Sequence, residues 1–99
     1  RMNRHGEYKM PGGKLTVVDL SIERGRLAQV QVSGDFFLEP DAALEAINAA
    51  LAGLSADTDA EALASAIASG LPDGVRMYGV SPAAIATAVR RAIDVGESA

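Results

Sequence analysis

The hydrophobic pattern changes its period at residues 34–40, and this change constrains the fold more than any other feature of the sequence. Before this stretch, apolar residues recur at every second position, as in Val18, Leu20 and Ile22. After it, they recur at every third or fourth position. Alternation indicates strands with one buried face, whereas the longer spacing indicates amphipathic helices. The chain is therefore predicted to be a small α+β domain in which a hairpin precedes helices.

The predicted sheet is a small antiparallel one, covered on one face by helices. A two-residue loop in the hairpin would place Leu20 opposite Gln29, so the apolar positions of one strand would pair with the polar positions of the other. A three-residue loop at 23–25 pairs Leu20 with Ala28 instead, so this register is expected. The predicted elements are hairpin strands 14–23 and 26–33, a short strand near 75–80, and three helices at about 40–53, 59–70 and 82–94.

Residues at the predicted helix ends carry capping signals. Thr58 and Glu61 have the spacing of a capping box at the start of the second helix. Ser81 followed by Pro82 is typical of the start of the third. The arginine pair 90–91 lies near the negative end of that helix, where solvated cations are common. We expect these arginines to be exposed to solvent.

Ninety-nine residues suffice for one domain with a single modest core. We expect a flexible arm at 1–6, the domain at 7–95 and a flexible tail at 96–99. His5 is the only histidine. Within a flexible arm and without a nearby carboxylate, it is expected to be solvated rather than to act as a base or ligand.

Composition excludes several classes of function. The net charge of −4 argues against nucleic acid or an anionic membrane as the main partner, because both require a dense cationic patch. The absence of cysteine excludes disulfides, thiolate metal sites and thiol nucleophiles. No apolar run approaches the roughly 20 residues that span a bilayer, and a cytoplasmic location is expected. We find no catalytic group and no metal site in the sequence.

A first corner of interest is the turn at residues 9–15. Pro11 fixes one dihedral angle, and the glycines at 12 and 13 permit a tight turn with an exposed backbone. Lys9 and Lys14 flank it. The turn can cradle a phosphate or carboxylate, or it can simply lead into the sheet; the sequence leaves both open.

A second corner contains both phenylalanines of the protein. Phe36 and Phe37 follow Gly34 and Asp35, and adjacent side chains on an extended backbone point to opposite faces. One ring is therefore expected to lie outside the core. The alternative is that both rings fill the core at an irregular strand end.

Three segments together resemble the C-terminal accessory domain of lipoate-protein ligase. These are residues 8–15, residues 33–40 and residues 79–82, and their order and spacing match that family over about residues 6–94. In the family this domain is fused after a large catalytic domain or made as a separate small subunit. The resemblance implies a fold similar to the SufE/IscU-type scaffold proteins of iron–sulfur assembly.

The resemblance also implies a function. The chain would assist the ATP-dependent activation of lipoate to lipoyl-AMP in protein lipoylation, as a lid over the catalytic partner. ATP, Mg and lipoate would belong to that partner, with no cofactor on this chain, and lipoyl-acceptor proteins would be indirect partners. The residues that would face the partner or the adenylate are Lys9, Pro11, Gly12, Gly13, Lys14, Gly34, Asp35, Phe36 and Phe37.

Two rival functions differ in kind. One is a docking module with no part in adenylation, and the other is an enzyme in its own right, for which the sequence offers no residues. Whether the catalytic partner is a separate chain or a fused domain, which acyl group it activates, the oligomeric state and whether Lys9 or Lys14 touches ligand all stay open.

Overall fold

Five strands and three helices make up the computed structural model, which describes residues 3–96. The first three strands form one antiparallel sheet in the order β1-β2-β3, and two short strands, β4 and β5, form a second antiparallel pair. This confirms the α+β class with three helices. The elements are β1 (Asn3–Lys9), β2 (Leu15–Glu23), β3 (Arg26–Gly34), β4 (Phe37–Glu39), α1 (Ala42–Leu51), α2 (Ala60–Gly70), β5 (Arg76–Tyr78) and α3 (Pro82–Gly96).

Strand β1 replaces most of the flexible arm predicted at 1–6, and that prediction is wrong from Asn3 onward. The strand pairs with β2 along its whole length, from Asn3 opposite Ser21 to Lys9 opposite Leu15. Its buried residue is Gly6, which lies against α3, and Arg4 and Tyr8 on the same face are half-buried. Because this face has no run of alternating apolar residues, hydrophobic periodicity did not predict β1. Residues 1–2 and 97–99 lie outside the described residues, and Gly96 belongs to α3.

The β2–β3 loop has two residues, so the predicted three-residue loop is wrong. Arg24 and Gly25 have φ angles of 54° and 76°, as in the type I′ turn, whose twist matches that of the flanking strands. Glu23 pairs directly with Arg26 across this turn.

A β-bulge makes the short loop compatible with a buried apolar face. Gln29 has a φ of 51°, and the register shifts by one residue between Asp19 and Ser21. Beyond the shift, Val18 lies opposite Val32. Because the extra residue shifts the alternation, Leu27 is buried in place of the predicted Ala28, whereas Val30 and Val32 are buried as the alternation predicts.

The core lies between the three-stranded sheet and the helices. Helix α3 packs against β1 and β2, α2 packs against α3, and α1 packs against α2, β3 and β4. The predicted stripe of α3, which is Ile85, Val89 and Ile93, is buried. No helix in the part of the chain that the structure describes has the length and apolar character needed to cross a membrane.

The start of α2 differs from the predicted capping box. Asp59 is the capping residue, and its side chain accepts a hydrogen bond of 2.8 Å from the Ala62 amide. Thr58 instead donates from Oγ1 to the Ser55 carbonyl at 2.7 Å. At α3, the Ser81 hydroxyl accepts from the Ala84 amide at 3.0 Å, which confirms the predicted cap.

The predicted exposure of the arginine pair is confirmed for Arg91 and wrong for Arg90, and both arginines make structural contacts. Arg90 is only partly exposed and donates to the Ala56 carbonyl at 2.7 Å and the Thr58 carbonyl at 3.1 Å. Arg91 lies with its guanidinium 4.9 Å from the centre of the Tyr8 ring. These contacts join α3 to the loop before α2 and to β1, so both cations are used to hold the fold together.

Candidate partner-binding surface

The β1–β2 turn forms a defined corner. The Gly13 amide donates to the Met10 carbonyl at 2.9 Å, which closes a four-residue turn. Pro11 and Gly12 occupy its two central positions, and Gly12 has a φ of 74°, as a type II turn requires. Pro11 and Gly12 are exposed, and Lys14 next to the turn is exposed as well. The predicted first corner therefore stands open at the surface.

A backbone hydrogen bond joins the second corner to the start of the strand that follows this turn. The Asp35 amide donates to the Leu15 carbonyl at 3.1 Å. A Cβ atom on Gly34 would lie only 2.1 Å from that carbonyl oxygen and 2.9 Å from the Phe36 ring. The chain can approach β2 this closely because Gly34 has no side chain. The residues from Gly34 to Asp35 are exposed, so the second corner also stands open.

The third segment of the resemblance meets the first at Gly79. The Lys14 amide donates to the Gly79 carbonyl at 2.8 Å. The stem of the Lys14 side chain packs over Gly79, since a Cβ there would lie 2.5 Å from Lys14 Cγ. The structure thus brings together three segments that are far apart in the sequence. We call this end of the molecule, formed by residues 10–14, 34–37 and 78–79, the corner surface.

An exposed aromatic pair lies on the corner surface. Phe37 and Tyr78 face each other across the β4–β5 pair, with their ring centres 5.7 Å apart. Phe37 is 54% exposed and Tyr78 is 46% exposed, whereas Phe36 is only partly exposed. This confirms the prediction that one phenylalanine lies outside the core. Tyr78 did not appear among the predicted site residues, although its outward position in the last strand follows from alternation.

A shallow groove of about 360 Å³ opens beside this pair. It runs between the end of β3, the Phe36 ring and the first turn of α1. Its surface is mainly apolar, and its residues are Ser33, Gly34, Phe36, Phe37, Leu38, Asp41 and Leu44. Sequence patterns did not reveal this groove, because Leu44 reads as an ordinary member of the helix stripe.

Charge divides the surroundings of the corner surface into two sides. Lys9 and Lys14 flank the β1–β2 turn, and both are exposed. Asp35, Glu39 and Asp41 are exposed around the second corner, where the exposed cation is Arg76, opposite Glu39 in the β4–β5 pair. A partner that covers the whole end is therefore expected to present groups of both signs.

A separate polar cluster occupies the outer face of β1. Both ring nitrogens of His5 face carboxylates, with Nδ1 2.7 Å from Asp19 Oδ1 and Nε2 2.7 Å from Glu7 Oε2. These two hydrogen bonds, to Glu7 first and Asp19 second, raise the pKa of His5 above its usual 6.5. The expectation of a histidine without a nearby carboxylate is wrong, because β1 and β2 bring all three side chains together. Within residues 3–96, no group of three or more such side chains is arranged to hold a metal ion.

Comparison with solved structures gives one informative similarity. The chain is similar to a chain in the structure of an archaeal lipoylation system from Thermoplasma acidophilum, a bi-partite lipoate protein ligase and its E2 lipoyl domain. The two share 26% identity with a TM-score of 0.66, and the match covers 89% of this chain and 92% of the other. The matched chains are thus of nearly equal length. Comparisons with protein-family models and with curated proteins give no match.

The similarity agrees with the α+β fold and supports a link to a lipoate protein ligase system. It does not bear on the expected likeness to the SufE/IscU-type scaffold proteins, which stays a prediction. The roles of the individual corner residues also stay predictions, and the structure adds their common position at one end of the molecule.

Proposed function

We propose that this chain acts in the cytoplasm as the accessory subunit or domain of a lipoate-protein ligase, assisting a separate catalytic domain in the ATP-dependent formation of lipoyl-AMP. The observation that carries the proposal is its similarity, over nine-tenths of both chains, to a chain of a bi-partite ligase system. The proposal assigns ATP, magnesium and lipoate to the catalytic domain. It assigns to this chain the task of covering the reacting groups.

The corner surface supports this role by its shape. It combines a tight turn with an open backbone at Gly12 and an exposed aromatic pair, Phe37 and Tyr78. Aromatic side chains are common anchors of protein interfaces, because they bury a large area with few rotatable bonds. A partner that covers this end would remove both rings from water.

Covering the site would assist the reaction in two ways. Lipoyl-AMP is a mixed anhydride, which water hydrolyses, so a lid that excludes water protects it. A drier site also strengthens the interaction between cations and the phosphate at which negative charge develops. In this proposal Lys14 contributes such a charge, which is supported by a side-chain stem that packs against Gly79 while the residue stays exposed.

Reconstitution tests the proposal. The catalytic domain encoded in the same genome is assayed for the rate of lipoate-dependent pyrophosphate release in the first turnover, alone, with this chain, and with an equal concentration of serum albumin. We expect release to rise at least about tenfold with this chain only, the size of effect that a positioning element typically gives. Equal release in all three reactions would contradict the proposal and favour a docking module without a role in adenylation.

Charge reversal at Lys14 tests the electrostatic part. Lys14→Glu is expected to slow lipoyl-AMP formation by about tenfold at saturating concentrations of the chain, since one preorganised charge near a reacting group has effects of this order or larger. Arg24→Glu is the matched control, because it makes the same change in charge in the turn at the opposite end of β2. Both variants should unfold at the wild-type midpoint. Unchanged kinetics for Lys14→Glu would remove this lysine from the mechanism.

A further inference from the structure

We propose that the groove between β3, Phe36 and α1 is the receptor for an apolar side chain of the ligase's catalytic domain, flanked in that domain by lysine or arginine. This inference rests on the proposed function and specifies the chemistry of the partner at the same end of the molecule. It concerns binding between the two proteins and assigns no reacting group to the groove.

The dimensions and lining of the groove fit a side chain. Its volume of about 360 Å³ is near the lower end of the roughly 300–1,000 Å³ of small-molecule sites. Leu38 is buried beneath it, while Phe36 and Leu44 are partly exposed within it. When another apolar group excludes water from these half-exposed side chains, the free energy falls because apolar surface is removed from water. The groove is therefore suited to one large aliphatic or aromatic anchor.

A second groove adjoins the first at Leu44, so an extended segment that follows the anchor has a place to bind. This second groove, of about 400 Å³, lies between β3 and α1, lined by Val30, Gln31, Leu44, Glu45 and Asn48. The two grooves share Leu44. A partner segment that places its anchor at Phe36 would pass over Leu44 toward Glu45.

Charge identifies the occupant as basic. Asp41 lines the first groove and Glu45 the second, and neither groove has a lysine, arginine or histidine among its lining residues. Residues 35–61 of the sequence include seven acidic residues and no lysine or arginine. Anionic groups such as phosphate would be repelled here, whereas lysine or arginine beside the anchor would be attracted. The acidic residues of the two grooves, Asp41 and Glu45, thus complement a basic segment.

Two variants of the full chain test the two parts of this recognition. Asp41→Lys/Glu45→Lys reverses the charge of the acidic residues that line the two grooves, and it breaks no cap because the Asp41 side chain makes no capping hydrogen bond. Its control is Asp57→Lys/Glu61→Lys, which makes the same total change in charge before and within the first turn of α2. Ser33→Trp fills the groove from an exposed strand position, and Ser65→Trp on the exposed face of α2 is its control.

Binding to the genome-matched catalytic domain is measured by titration calorimetry at 50 mM and 500 mM salt. We expect Asp41→Lys/Glu45→Lys to weaken binding at least about tenfold at low salt, with a smaller effect at high salt, where surface charges are screened. Ser33→Trp should weaken binding at least about tenfold at both salt concentrations. The two control variants should bind within about twofold of wild type, and near-ultraviolet circular dichroism should show that all four are folded.

The outcomes separate this inference from the proposed function. If wild type binds and activates the catalytic domain while both groove variants bind like their controls, the groove is not the receptor and the accessory function stands. Salt-independent weakening by the charge variant would refute the basic character of the occupant. If wild type neither binds nor activates the catalytic domain, both proposals are wrong.

Discussion

Replacing Gly6 by alanine probes the closest approach between the sheet and a helix. A Cβ atom at this position would lie 2.3 Å from the Ala92 amide nitrogen and 2.4 Å from the Ala88 carbonyl oxygen. Ordinary van der Waals contact begins near 3.4 Å, so β1 and α3 would have to separate by about 1.1 Å, the difference between 3.4 and 2.3 Å. Both obstructing atoms belong to the backbone of α3, and no side-chain rotation can relieve the clash.

The cost follows from this rigidity. Overpacked cores typically lose about 1–3 kcal/mol, and we expect about 3 kcal/mol because α3 must move as a unit and loosen Ile85 and Val89 from the core. For a domain of this size, that loss lowers the melting temperature by roughly 12–24 °C. Urea unfolding followed by circular dichroism measures it directly.

Gly25→Ala is the control for Gly6→Ala. A Cβ on Gly25 meets no atom within 4 Å, but the residue has a φ of 76°, so the variant bears only backbone strain of about 1 kcal/mol. A loss at Gly6 no larger than that at Gly25 would refute the tight packing of β1 on α3.

Two further substitutions test the polar groups of the sheet. Thr16 is fully buried and its hydroxyl has no hydrogen-bond partner in the structure, so Thr16→Val should raise the free energy of unfolding by about 1 kcal/mol in urea titrations; a loss would show that the hydroxyl is satisfied. The carboxylates of Glu7 and Asp19 raise the pKa of His5. The contribution of His5 to the free energy of unfolding is therefore fully present below pH 6.5 and is lost as the pH rises through the pKa of the folded state. Stability of wild type relative to His5→Gln should therefore fall over that range, by less than about 1 kcal/mol for so exposed a cluster; a difference independent of pH would contradict this.

Periodicity was sufficient to predict the elements whose inward positions are apolar. Strands β2 and β3 and the three helices lie close to their predicted positions, since Ile47, Ile67 and Val89 mark buried faces. It failed where a buried position has no apolar side chain. Gly6 lies close to the backbone of α3 because it has no side chain. The β-bulge at Gln29, which has a positive φ, changes which residues of β3 face the core. Neither feature could be recognised from hydrophobicity.

The candidate site was predicted only in parts. The turn at Pro11 and the exposed ring at Phe37 follow from local rules about dihedral angles and alternation. The contact of Lys14 with Gly79 joins residues 65 positions apart and has no local signal. The groove at Leu44 is equally a product of tertiary packing, because it exists only where α1 meets the end of β3.

The central claim is that this chain covers lipoyl-AMP rather than making it. The most direct test is a single-turnover reaction in which the catalytic domain, ATP and radiolabelled lipoate are mixed with and without this chain, and lipoyl-AMP and its hydrolysis to free lipoate are followed in time. We expect the chain alone to form no lipoyl-AMP, and its addition to speed formation and to slow hydrolysis, because water is excluded. Formation of lipoyl-AMP by the chain alone, or rates that its addition leaves unchanged, would contradict the account.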